Sequence, residues 1–200
     1  ELTRAIQHVN EFAFLEGASA GIVTNILLAE GMDAKHNLHI DFRKMGLNEA
    51  QQALYRDQVQ ASAVGPIPTA RANSRSGVDI TIIAPVITLH HSMLVKPDSE
   101  YETLEDLVGA RISTFPRQSS SFNTYALLMD EMGYSWEDDF NLTLTSTINI
   151  LNLFDRGDVD AMTHFEPFVT RWLAPDKARE LANMRQVYEE TFGRPQQFAS

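Results

Sequence analysis

Cysteine is absent from the 200-residue sequence, and with it go disulfides, thiolate metal sites and cysteine nucleophiles. Long apolar runs are missing too: none approaches the roughly 20 residues that a membrane-spanning helix needs. Basic residues are few. Sixteen Lys and Arg against 27 Asp and Glu leave a formal charge of −11, which argues against a general nucleic-acid binder because phosphate contacts need a basic face. The same charge is compatible with an anionic ligand, since one local cation and a few backbone amides outweigh the global field nearby. Also absent are the G-x-S-x-G elbow, the G-x-x-x-x-G-K phosphate loop and the G-x-G-x-x-G dinucleotide turn. The acid-rich WEDDF at 136–140 has no evident base beside it and reads as a solvated loop. No signal-peptide pattern is visible and the chain starts at Glu1, so a processed or trimmed chain is the expectation.

What is present is enough apolar character, 44% of residues, for a real core. Strand-like and helix-like stretches alternate, the rhythm of an α/β protein with mainly parallel sheets. NEFAF reads as a strand and GIVTNILLAEG as a helix stopped at Gly31. NLHIDF is a strand with Leu38, Ile40 and Phe42 on one face. LNEAQQALYRD is a helix burying Ala50, Ala53 and Leu54. VQASAVG predicts a short strand, IPTARANSRSG a short helix, and VDITIIAPVI a buried strand. The second half repeats the alternation: SMLVKP strand, TLEDLVG helix with Thr103 and Asp106 at capping-box spacing, and ARISTF strand. A helix follows, with Phe122, Tyr125, Ala126, Met129 and Met132 on one face and Gly133 as its stop. FNLTLTST, INILNLFDRG and VDAMTHF then read as strand, helix and strand. RQVYEE and RPQQFAS near the end read as short extended pieces.

The two halves share local patterns. RDQVQASAVGP (56–66) parallels RGDVDAMTHFEP (156–167), and FAFLEGASAG parallels ISTFPRQSSS. Such weak repetition predicts two similar α/β lobes. Ligands of open α/β sheets bind beyond the carboxyl ends of the strands, against helix N-termini. The loops expected there are 16–19, 65–69, 88–91, 115–121, 146–147 and 164–167, nearly all small, hydroxylated or proline-containing.

Within them, Arg117 to Ser121 is the strongest local candidate. An arginine fork, the hydroxyls of Ser119, Ser120 and Ser121, and free helix amides together suit a carboxylate, sulfonate or phosphate; the plainer alternative is a solvated helix cap. Ser19 before the first helix reads first as a cap. His164 and Glu166, two apart near a strand end, share a face and fit a polar contact to an organic ligand better than a metal pair, for which no third ligand is evident. The adjacent His90 and His91 are expected on opposite faces of a strand, as polar residues near a lobe crossing. Trp172 reads as a core or surface aromatic.

The order and spacing of LLAEGM, GLNEAQQAL, VQASAVGPIPTARANSRSGVDITIIAP, SMLVKPDSEYETLEDLVGARIST and LFDRGDVDAMTHFEPF resemble the solute-binding proteins of ABC importers of the nitrate, sulfonate and taurine type, a group related to the thiamine-pyrimidine synthesis proteins. The resemblance covers most of the chain. It implies a type 2 periplasmic binding protein fold: two α/β lobes with a hinged interlobe cleft, the first lobe from residues 1–88 plus about 185–200 and the second from 89–184. Family members continue further with helices completing the first lobe, so the resemblance also implies that this part is missing here. By position it implies ligand contacts from Ala18, Ser19, Gly65, Pro66 and Thr88, and from Arg117, Ser119, Ser120, Ser121, Thr147, His164 and Glu166. It further implies a noncatalytic, monomeric receptor without cofactor or metal, periplasmic or cell-surface associated and not inserted in the membrane. That receptor would capture a small, anionic organic molecule and deliver it to a membrane permease driven by an ATPase. Two other readings stand beside it. One is a cofactor-biosynthesis enzyme on the same scaffold with His90 or His164 as acid/base, although the cysteine-rich motif of the synthase branch is absent. The other is the effector-sensing domain of a regulator.

Overall fold

The computed structural model describes residues 9–14, 19–84 and 90–195. The chain divides into two compact units, Glu1–Gly65 with Thr69–Val86, and Pro66–Pro68 with Ile87–Ser200. In the first, β1 (Val9–Phe14) is central, flanked in parallel by β2 (His39–Lys44) and by β3 (Ala61–Ser62). The connections run through α1 (Ser19–Ala29), the single turn α2 (Met32–Lys35) and α3 (Leu47–Tyr55), and α4 (Pro66–Ser76) follows β3. Alanines at helical spacing make the core: Ala50, Ala53 and Leu54 of α3 pack with Ala13 of β1 and with Val59. Gly31, with φ of 56°, ends α1 and starts α2, a left-handed turn that a residue with a Cβ takes only under strain. On α1, Gly21 and Thr24 are buried while Ile22, Ile26 and Leu28 are exposed.

The run VDITIIAPVI does not form the buried strand that its β-branched composition predicts. Residues 78–84 have no ladder partner, and Ile83 is 91% exposed; 85–87 lie outside the described residues. Propensity cannot make a strand without a neighbour. The Asn73 side chain instead takes both backbone groups of Ile80, donating to its carbonyl (2.7 Å) and accepting from its N–H (3.1 Å).

The second unit holds a five-stranded sheet in the order β6-β5-β7-β4-β8, from β4 (His91–Val95), β5 (Arg111–Thr114), β6 (Asn141–Leu144), β7 (Ala161–Phe165) and β8 (Arg179–Asn183). β5 runs parallel to β6 and β7, whereas β4 is antiparallel to both β7 and β8. Every residue of β4 and β7 is buried, as strands covered on both faces must be. The helices are α5 (Ser120–Glu131), α6 (Thr147–Arg156), α7 (Phe168–Leu173) and α8 (Met184–Phe192). Tyr125, Leu128 and Met129 of α5 pack with Met93, Ile112, Trp136 and Phe140, the face that the i, i+3, i+4 spacing predicts. The Thr103–Asp106 pair closes reciprocally: each backbone N–H donates to the other's side chain, at 2.9 and 3.3 Å, around a single 3₁₀ turn.

One expectation about the end of the chain is corrected. RQVYEE is not extended but lies in α8, where Asn183 accepts from the Arg185 N–H (3.1 Å) and Arg185 pairs with Glu189 one turn on. Met184, Val187, Tyr188 and Phe192 recur at helical spacing and pack against the core of the second unit, so this stretch groups with that unit. RPQQFAS lies largely outside the described residues.

Candidate functional site

In the second unit the carboxyl ends of β6, β5 and β7 come out on one edge of the sheet, and α5, α6 and α7 start just beyond them. Because β4 is antiparallel, its amino end arrives at the same edge, with His91 opposite Phe165. This topology gathers Ser119, Ser120, Ser121, Thr147, His164 and Glu166, six of the residues singled out from sequence, and adds His91.

The three serines have three different roles. Ser119 is the helix cap: its Oγ accepts from the Phe122 N–H (3.1 Å) and donates to the Pro116 carbonyl (2.7 Å). Ser121 Oγ lies 2.8 Å from Nε2 of His91. Ser120 is 7% exposed, and its hydroxyl has no hydrogen-bonding partner. The Asn123 amide donates to the carbonyls of Arg117 (3.0 Å) and Ser119 (2.6 Å), closing the loop that leads into α5.

His164 ties β7 to the start of α6. Its Nδ1 accepts from the Phe165 N–H at 2.9 Å, which leaves the proton on Nε2 to donate to the Thr147 carbonyl at 3.3 Å. The 3.3 Å approach of Nδ1 to the Phe165 carbonyl is then a close contact without a proton in it. Both ring nitrogens are thus engaged by backbone. Burial lowers the His164 pKa to about 4, and burial with the nearby His90 and His164 charges holds that of His91 well below 6.5. Phe115 joins the two imidazoles. Its ring stacks on Phe165 at 5.4 Å and meets His91 and His164 edge-on at 6.2 and 5.7 Å. Beneath them, Thr163 donates its hydroxyl to that of Thr114 (2.8 Å).

Other residues sit differently from expectation. The Arg117 guanidinium is largely exposed and pairs with Glu137 at 2.5 Å rather than standing open. Glu166 accepts from the N–H and hydroxyl of Thr170, at 3.1 and 3.0 Å, across the first turn of α7. His90 and His91 do not diverge to opposite faces: His90 precedes the ladder, so strand alternation does not govern it, and the two rings lie 5.0 Å apart. Trp172 is half-buried on α7 and donates to Asp155 (2.9 Å). Gly65 caps α4 and Pro66 is its first residue, beyond the carboxyl end of β3. Ser19 opens α1, while Ala18 and Thr88 lie outside the described residues. Among the described residues no three His, Asp or Glu side chains are grouped as a metal site. No described helix is long and apolar enough to cross a membrane.

His91 lies in one of the loops expected at the site and reads from sequence only as a polar residue near a lobe crossing; its bond to Ser121 is what the sequence did not announce. A histidine entering the wholly apolar run MLV was a signal of a buried imidazole in need of a partner.

Residues 27–190 match the profile of a family described as the periplasmic substrate-binding protein of phosphonate ABC transporters. The chain belongs to this family. No curated protein sequence matches this chain significantly. Among solved structures it is similar to the alkanesulfonate-binding protein SsuA of Xanthomonas axonopodis pv. citri bound to MOPS, with 22% identity and a TM-score of 0.71 over 92% of this chain and 68% of that one. It is also similar to the aliphatic sulphonate-binding SsuA of Escherichia coli, with 22% identity and a TM-score of 0.70 over 88% and 60%. The arginine-, lysine-, histidine-binding protein ArtJ of Geobacillus stearothermophilus matches at 12% identity and a TM-score of 0.63 over 94% and 96%. The chain therefore has the fold of type 2 periplasmic binding proteins, as the resemblance implied, and it spans between 60 and 68% of the two sulfonate-binding chains.

Proposed function

We propose that the chain captures a small organic oxyanion, a sulfonate or phosphonate, and delivers it as a noncatalytic monomer to a membrane permease driven by an ATPase. The observation that carries this reading is the Ser120 hydroxyl. It is buried without a partner at the first residue of a 12-residue helix, where the first-turn amides have no intrahelical acceptor. A buried hydroxyl left unpaired costs free energy that a ligand oxygen recovers. Thr147, at the start of the neighbouring α6, stands ready as a second donor. Arg117 adds positive charge beside the loop by exchanging Glu137 for the anion, and Glu166 reads a polar group at the far end of the ligand, while His164, held by backbone on both ring nitrogens, fixes the start of α6 beside it. Ala18, Ser19, Gly65, Pro66 and Thr88 are proposed as further contacts on the strength of the family resemblance alone. The family of periplasmic proteins and the sulfonate- and MOPS-binding structures of the same fold support the ligand class.

The test is a thermal-shift and calorimetric screen with taurine, ethanesulfonate, MOPS, methylphosphonate, nitrate and short carboxylates. A ligand at a hundred times its Kd stabilises the folded state by about 2.7 kcal/mol. Binding of a sulfonate or phosphonate, weakened at least tenfold by Ser120→Ala, is the expected result. Silence from the whole panel, or binding indifferent to both Ser120→Ala and Arg117→Ala, overturns the reading.

A further inference from the structure

Only one of the three hydroxyls at the start of α5 is free, and what holds the others decides where it points. Ser119 is bound to its own loop, but Ser121 is tied to another element, β4, through His91. The His91 ring is 1% exposed and framed by four others: His90 at 5.0 Å, Phe115 and Tyr125 at 90° to it, each 6.2 Å away, and Phe165 at 5.8 Å. Close packing of this kind restricts the rotation of the imidazole, so Nε2 is held against the sheet. The 2.8 Å contact transmits that restraint to the second residue of α5, next to Ser120.

We propose that His91 is a positioning residue for ligand capture: through Ser121 it sets the first turn of α5, and so the aim of the Ser120 hydroxyl and the adjoining amides. This inference rests on the proposed oxyanion site and adds to it a residue that does not touch the ligand. Binding groups held within a fraction of an ångström by supporting hydrogen bonds lose affinity when the support goes, even though every direct contact residue remains.

The experiment is a double-mutant cycle read by calorimetry with ethanesulfonate and, in parallel, methylphosphonate. His91→Phe and Ser121→Ala are each expected to raise Kd about tenfold, and the double variant to be no worse than either single one. His91→Gln, whose amide reaches Ser121 as donor or acceptor, is expected to restore Kd to within about threefold of the parent. If His91→Phe does not fold, His91→Asn, too short to reach Ser121, completes the same cycle. Additive losses, or variants that lower the melting temperature while leaving Kd unchanged, overturn the positioning role. Ser120→Ala separates the two readings. If it abolishes binding while the His91 and Ser121 variants do not, only the positioning role falls; if no variant matters, the oxyanion site falls with it.

Discussion

The segments RDQVQASAVGP and RGDVDAMTHFEP begin alike, each with a helix end, a polar turn and Val-x-Ala before a proline, yet they end as unequal strands. Among the described residues β3 covers two half-buried residues and pairs with β1 alone; β7 covers five buried residues between β5 and β4. Both valines, Val59 and Val159, are buried, so the local instruction is obeyed in each unit. What differs is the company. A strand with two neighbours is drawn out to the sheet's full depth, and its last residues, His164 and Phe165, become the floor of the candidate site. A strand with one neighbour stops as soon as its pairing is satisfied.

The largest test of that contrast is Met162→Ala. Met162 is wholly buried and lies between Ser113 and Leu94 in the central strand, so the truncation is expected to cost about 2–5 kcal/mol by urea unfolding followed by circular dichroism. A loss under 1 kcal/mol would show that β7 is no better supported than β3.

Acid provides the second test. The folded-state pKa of His164, about 4, lies below the ordinary 6.5, so the unfolded chain binds the proton more readily. Stability therefore rises with pH between about 4 and 6.5 and is lost as pH falls through that window, by on the order of 3 kcal/mol from this group, with His91 acting in the same direction. Hydrogen exchange during acidification should show the second unit, which holds His91 and His164, loosening as the pH falls through that window. His164→Gln is expected to flatten the profile of melting temperature against pH; an unchanged slope would remove His164 as its source.

Two smaller effects sharpen the comparison. Ser119→Ala removes the α5 cap and Ser62→Ala removes the 2.9 Å donation from β3 to the Ala13 carbonyl; each is expected to cost about 1 kcal/mol, the first in α5 protection and the second in β1 protection by hydrogen exchange. Arg117→Ala, at an exposed ion pair, should change stability by less than about 1 kcal/mol, so any larger loss in oxyanion binding comes from the ligand and not from the fold.

Most elements were legible because local chemistry agreed with the final neighbours. The α3 and α5 faces, the glycine stops at Gly31 and Gly133, and the Thr103–Asp106 closure are all local, and all appear. VDITIIAPVI misled because apolar β-branched residues state a preference without supplying the partner strand. RQVYEE misled in the opposite way, since its helical period emerges only when Met184 and Phe192 are included. The serines at 119–121 were recognisable as a surplus of hydroxyls, but their division of labour was not. It depends on His91, thirty residues earlier and across the sheet, and on an antiparallel strand that no local pattern announces.

The stacked pair Tyr125–Trp136 gives the second unit a consequence for spectroscopy. The chain has two tryptophans, Trp136 buried against Tyr125 and Trp172 bonded to Asp155, and both belong to the second unit. Intrinsic tryptophan emission is therefore a one-sided reporter. It registers the environment beneath α5 and α7, and it is blind to the melting of the β2-β1-β3 sheet, which an optical unfolding curve at tryptophan wavelengths would pass over without a signal.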